Sequence, residues 1–102
     1  MTRLEQLRKM VALQPDDAML HYGIGLEYVN LEQPDQAIAA FEHAIELDGK
    51  FSAAYYHKAR TEIGAGRHDA ARTTLTAGVE AAKAVDDSHL QEKMSELLDA
   101  LA

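Results

Sequence analysis

The sequence predicts an all-α protein: an α-solenoid of antiparallel helix hairpins, about six helices long, ending in a C-terminal capping helix. Three observations lead there. Apolar residues recur at helical spacing, as in Leu90, Met94, Leu97, Leu98 and Leu101. Turn residues cut the chain into short segments at Pro15, Pro34, Asp48–Gly49 and Gly64–Ala65–Gly66. The pattern also repeats. Gly25 and Ala59 are 34 residues apart (59 − 25), and the same offset joins Tyr22 to Tyr56, Ala37 to Ala71, Phe41 to Leu75 and Ala44 to Gly78. A constant offset with helix–turn–helix content marks a stacked repeat.

Residues 3–13 read as a helix through Leu4, Leu7, Met10 and Val11. Pro15 stands one repeat length before Gly49, so 3–13 correspond to the second helix of a half repeat whose first helix is missing. Residues 18–49 form repeat 1. Asp16 and Asp17 suit its helix start. Its first helix, about 18–31, is apolar nearly all round, with only His21, Glu27 and Asn30 clearly polar. Such a helix is either buried on most sides or presents an apolar face for binding. The register sets Leu20, Ile24 and Tyr28 against the partner helix and puts Met19, Tyr22, Leu26 and Val29 on another face. Pro34 opens the second helix, favoured at the first helical position. Ala37, Ile38, Phe41, Ala44 and Ile45 are its inward stripe, and Gly49 suits a left-handed C-cap.

Residues 52–83 form repeat 2, with helices over 52–64 and about 68–84. Lys58 and Glu62, four apart, read either as a solvated pair or as a polar notch facing a groove. Residues 87–101 form the capping helix. Ser88 and Gln91 fit a capping box, and Glu92, Lys93, Glu96 and Asp99 give it a polar outer face, as a terminal repeat requires. That polar face and the initial Met lead to the expectation of a complete small protein.

These residues resemble the tetratricopeptide repeat family. In its W-x2-L-G-x2-Y…A-x3-F…A…P pattern the first repeat supplies His21, Ile24, Gly25, Tyr28, Ala37, Phe41 and Ala44. His21 replaces the aromatic, and Gly49 stands where Pro is usual. The second repeat supplies Tyr55, Ala59, Ala71, Leu75 and Gly78. It departs at Lys58 and Glu62, where large apolar residues are expected, and at Lys83, where Pro is expected. The resemblance implies a concave groove lined by the first helices of the repeats. Met19, Tyr22, Leu26 and Val29 would then face Ala53, Tyr56, His57 and Arg60. Some members of the family hold a C-terminal carboxylate in that groove with a Lys/Asn/Arg clamp. Tyr22 and Leu26 occupy the clamp positions here, so the chain does not look like a chaperone-tail binder.

Composition narrows the function. Ten basic against 17 acidic residues leave a net charge of −7, so the basic footprint of a nucleic-acid binder is absent. No cysteine is present, which removes disulfides and thiolate metal sites. No apolar run approaches membrane-spanning length, and MTRLEQLRKM is not a signal peptide. A cytoplasmic protein is expected. The five histidines show no i, i+4 pair and no HExxH, so no metal is expected. Gly23-x-Gly25 lies inside a helix pattern and is not a phosphate loop. No nucleophile–base–orienter set is recognisable, so neither enzyme activity nor a cofactor is expected.

Two functional readings remain. The first is a non-catalytic interaction module holding an apolar peptide or helix of a partner protein in the groove of Met19, Tyr22, Leu26, Val29, Tyr56, His57 and Arg60. Tyr, Met and Arg favour such surfaces. It treats Tyr22 and Leu26 as surface residues whose loss spares the helices. The bland counterpart is that the terminal helices cover this trough. The second reading is self-assembly through the uncovered face of Leu4, Leu7 and Val11. It would make a two-fold homodimer, or a head-to-tail contact between a start carrying Arg3, Arg8 and Lys9 and an end carrying Asp86, Asp87, Glu92, Glu96 and Asp99.

Overall fold

The computed structural model describes residues 1–102 as six α-helices and no strand. Helix α1 spans Arg3–Leu13, α2 Ala18–Asn30, α3 Pro34–Leu47, α4 Ser52–Gly64, α5 His68–Ala84 and α6 Ser88–Leu101. Each helix packs antiparallel on its chain neighbour, and the stack measures 41 × 28 × 18 Å. No helix is long and apolar enough to cross a membrane.

Local chemistry sets the helix ends. The Asp17 carboxylate caps α2, accepting from the Met19 and Leu20 amides at 3.0 and 3.4 Å. Thr2 caps α1 by accepting from the Glu5 amide at 3.1 Å. The cap of α6 is Asp87, which accepts from the Leu90 amide at 3.0 Å; the box expected from Ser88 and Gln91 lies one residue too late. A carboxylate is the better acceptor for the partly positive helix start.

Helices α2, α4 and α5 end alike. Glu32, Gly66 and Asp86 have φ of 58°, 77° and 57°, the left-handed region. In each case the next amide reaches back to a carbonyl of the last turn: Gln33 to Tyr28 at 3.0 Å, Arg67 to Glu62 at 2.8 Å, Asp87 to Ala82 at 2.9 Å. This is the Schellman closure, which satisfies carbonyls the helix would leave unpaired. Glu32 and Gly66 are one repeat length apart. The left-handed cap expected at Gly49 is not formed. Asp48 leaves α3 with φ −143°, and its carboxylate accepts from the Lys50 amide at 3.1 Å, so an Asx-type turn takes the place of a glycine cap.

The hairpin interiors carry the repeat. Phe41 and Leu75 are both fully buried, as are Ala37, Ala44 and Ala71. Gly25 sits on the Phe41 ring: a Cβ there would lie 2.4 Å from Cε1 and 2.6 Å from Cδ1. Gly78 is equally confined, by Met94 Sδ at 2.5 Å and Tyr55 Cβ at 2.8 Å. Small residues at these points let the helices approach closely. Met94 brings α6 into the core with Ala59, Leu75 and Ala82. Leu90, Leu97, Leu98 and Leu101 pack beside it, while Glu92, Lys93, Glu96 and Asp99 stay exposed.

The face of Leu4, Leu7 and Val11, read as uncovered, is not free. Leu7 is 5% exposed and packs on Leu20 and Ile24 of α2, with Leu4, Val11 and Tyr28 around it. The basic residues of α1 serve the same contact: Arg3 pairs with Glu27 at 3.3 Å, and Arg8 bonds to the Tyr28 hydroxyl and lies over its ring. Helix α2 thus buries Leu7, while Leu4 and Val11 pack at the edge of the same cluster and stay partly exposed.

The two glycines of α2 separate cleanly. Gly25→Ala must displace the Phe41 ring and is expected to cost about 1–3 kcal/mol, the range for overpacking. At Gly23 a Cβ would meet only the Leu7 methyls at 3.5 Å, so Gly23→Ala is expected to stabilise by up to about 1 kcal/mol through helix propensity. Urea midpoints of the two variants check both signs.

Candidate functional site

The side chains between α2 and α4 form a ring cluster. Tyr22 lies 4.9 Å from Phe51, 5.9 Å from Phe41 and 5.7 Å from His57, centroid to centroid. His57 in turn lies 6.2 Å from Phe41 and 5.3 Å from Tyr56. His57 is the hinge of the arrangement, one edge in the core and the other toward solvent. Burial lowers its pKa from the ordinary 6.5, with a further contribution from the Arg60 charge. Burial also raises the pKa of the Tyr22 hydroxyl.

Above the cluster, toward the α2–α3 turn, an open groove of about 600 Å3 runs between α2 and α4. Leu26 and Val29 form one wall, and His57, Arg60 and Thr61 the other. Asn30, Glu32 and Gln33 close the end at the turn. Val29 is 40% exposed although apolar. The Arg60 guanidinium sits 5.6 Å from the Tyr56 ring centroid. Thr61 donates its hydroxyl to the His57 carbonyl at 2.8 Å, inside its own helix. Neither α1 nor α6 lines this groove.

Of the residues expected to line the trough, Leu26, Val29, His57 and Arg60 are brought together there. Three are not. Met19 is 64% exposed, but it lies about 15 Å along α2 from Val29, at 1.5 Å rise per residue. Tyr22, half-buried and one turn before Leu26 on α2, packs in the ring cluster with Phe41, Phe51 and His57 and does not line the groove, so its removal would disturb packing as well as the surface. Tyr56 does not line the groove but packs on the core cluster of Ala59, Leu75, Ala82 and Met94. The turn residues Asn30, Glu32 and Gln33 were not anticipated. Their signal was the hairpin itself, which carries the turn of one repeat to the mouth of the groove.

The family model described as tetratricopeptide repeat matches residues 28–97. The chain belongs to the tetratricopeptide repeat family. The TPR repeat-containing protein PA0015 of Pseudomonas aeruginosa is 28% identical over 98 residues, covering 96% of this chain and 93% of that protein. Among solved structures, protein BPP2914 from Bordetella parapertussis superposes with a TM-score of 0.83 at 27% identity, over 99% of this chain and 88% of that one. The Yersinia enterocolitica type III secretion chaperone SycD, in complex with a peptide of the translocator YopD, gives 0.88 at 21% identity, over 96% and 76%. That last likeness is one of fold.

Two departures from the tetratricopeptide pattern are resolved by packing. Lys58 and Glu62 were read as a solvated pair or a notch in the groove, and they are neither. Glu62 is 4% exposed and accepts from the Thr74 hydroxyl of α5 at 2.6 Å. Lys58 stands 3.5 Å from Glu42 of α3 and 4.0 Å from Glu62. The pair lies between α3, α4 and α5, where a polar bridge replaces the family's apolar contact and ties one hairpin to the next. His21, in the position of the family's aromatic, is buried, stacks on His43 at 3.9 Å, and has Nε2 2.8 Å from the Pro15 carbonyl.

Two outcomes are expected. Thr74→Val leaves the Glu62 carboxylate buried without its donor and should cost about 1–3 kcal/mol, read as a lowered urea midpoint at neutral pH. For His57 the sign follows from its depressed pKa. The folded protein binds this proton less readily than the unfolded chain, so unfolding takes up a proton once the pH falls below about 6.5. Stability from this group is complete above that pH and declines as the pH falls through the lowered value. Wild type should therefore lose more stability than His57→Asn between about pH 7.5 and pH 5.5; equal losses would remove His57 from the account.

Proposed function

We propose that the chain is a non-catalytic protein-interaction module that holds an apolar segment of a partner protein between α2 and α4. The observation that carries this reading is the apolar wall of half-buried Leu26 and exposed Val29, facing His57 and Arg60 across an open groove of about 600 Å3. A volume of that size fits a few side chains. The wall stands on a ring cluster that is already packed, so binding would order little of the protein and most of the apolar gain would appear as affinity. The polar groups on the walls suit recognition. Arg60 is held over an aromatic ring, and the Thr61 hydroxyl is bonded to its own helix. The SycD complex with a peptide of YopD gives this reading a precedent in a protein of the same fold.

Burial of a few apolar anchors corresponds to a Kd of about micromolar order. Because Tyr22 packs among the rings of Phe41, Phe51 and His57, the variants that isolate the groove are Leu26→Asp and Val29→Asp. Each is expected to keep the helical circular dichroism of the wild type and to weaken peptide binding more than about tenfold, measured by fluorescence anisotropy. Undiminished binding in both variants would place the partner elsewhere.

A further inference from the structure

Arg60 is poorly explained by the fold. The other arginines meet oxygen partners: Arg3 with Glu27, Arg8 with the Tyr28 hydroxyl, Arg67 with Asp35, and Arg72 with Asp69 and the Leu101 carbonyl. Arg60 has no carboxylate within 4.0 Å and no hydrogen bond, although the chain carries 17 acidic residues. Its guanidinium carbon lies 5.6 Å from the Tyr56 ring centroid, a contact that uses none of its N–H donors. It is a wall residue of the groove, across from the apolar wall of Leu26 and Val29. Glu32 lines the same groove from the α2–α3 turn, yet the two do not pair. The groove therefore carries an unneutralised cation on one wall and an anion at its end.

We infer that the groove selects a partner segment in which a side-chain carboxylate lies next to an apolar anchor, the anchor on Leu26 and Val29 and the carboxylate on Arg60. This rests on the groove being the binding site. Charge complementarity decides the occupant. A guanidinium already oriented on a ring offers two parallel N–H donors to a carboxylate, the strongest geometry for such a pair. Glu32 repels an acid placed at the turn end, so the pair of charges also sets the direction in which the segment lies. A purely apolar segment would cover Arg60 and leave its donors without partners, which costs affinity. A basic segment would meet Arg60 directly.

The test is a selection from a random peptide library displayed on phage through the peptide C-terminus, so that only side-chain carboxylates are presented. Wild type, Arg60→Gln and Leu26→Asp serve as baits. Wild type should enrich peptides with Asp or Glu within a residue or two of a large apolar side chain. Arg60→Gln should keep the apolar preference and lose the acidic one. A selected peptide, made synthetically, should bind Arg60→Gln about tenfold more weakly than wild type, and its Asp-to-Asn counterpart should bind the two proteins equally. If wild type and Arg60→Gln enrich the same apolar peptides without acids, the carboxylate inference is overturned and the groove stands. If Leu26→Asp enriches the same peptides as wild type, the groove itself is refuted, and this inference with it.

Discussion

The structure depends on one contact, the Phe41 ring pressed on Gly25. Phe41 is fully buried, and the absent side chain at Gly25 is what lets α2 come down onto it. Everything above that contact is placed by it. Tyr22 of α2 and His57 of α4 gather round the same ring, and His57 continues into the groove wall with Arg60, opposite Leu26 and Val29. The proposed binding surface is thus continuous with the core. Close-packed interiors move little, so a site built this way is held in shape before any partner arrives. Leu75 does for the second hairpin what Phe41 does for the first, one repeat length later, with Met94 of α6 closing against Gly78.

A second constraint is the way the helices stop. Three left-handed residues, Glu32, Gly66 and Asp86, reverse the chain after α2, α4 and α5 with the same pair of backbone bonds. Two of the three are not glycine, and each carries the roughly 1–2 kcal/mol that an L-residue incurs there. The turn at Glu32 closes one end of the groove. A backbone device that ends a helix therefore also delivers Asn30, Glu32 and Gln33 to the site. The links between hairpins are polar as well as apolar. Glu62, Thr74 and Lys58 bridge α4, α5 and α3 where the family has large apolar side chains. A buried carboxylate with a hydroxyl donor and a nearby ammonium tolerates burial, and its geometry specifies register in a way that a greasy contact does not.

Much of this was legible in the sequence because it is local or periodic. Helix spans follow from the spacing of apolar residues and from Asp17, Pro34 and Gly66, whose effects act within a turn or two. The repeat offset told which residues would be small and which large inside the hairpins. What stayed hidden depends on distance. The covering of Leu7 by Leu20 and Ile24 could not be read from α1 alone, because an apolar stripe looks the same whether its partner is the next helix or another molecule. The stripe of Met19, Tyr22, Leu26 and Val29 follows one helix face, but the groove takes only its C-terminal half. Phe51, which no repeat pattern marks, fills the space over Tyr22. Glu62 was expected at the surface because carboxylates usually are. Its donor, Thr74, sits twelve residues away on another helix.

The turn end of the α2–α4 groove is the place where we propose that this tetratricopeptide repeat protein meets a partner. Methyl and amide NMR shift mapping with a bound peptide reads that location directly. The account predicts shifts concentrated at Leu26, Val29, His57 and Arg60, with the exposed apolar residues Met10, Leu13 and Met19 unmoved. Shifts centred on α1, or on the polar bridge of Lys58, Glu42 and Glu62, with the Leu26 and Val29 methyls silent, would contradict it.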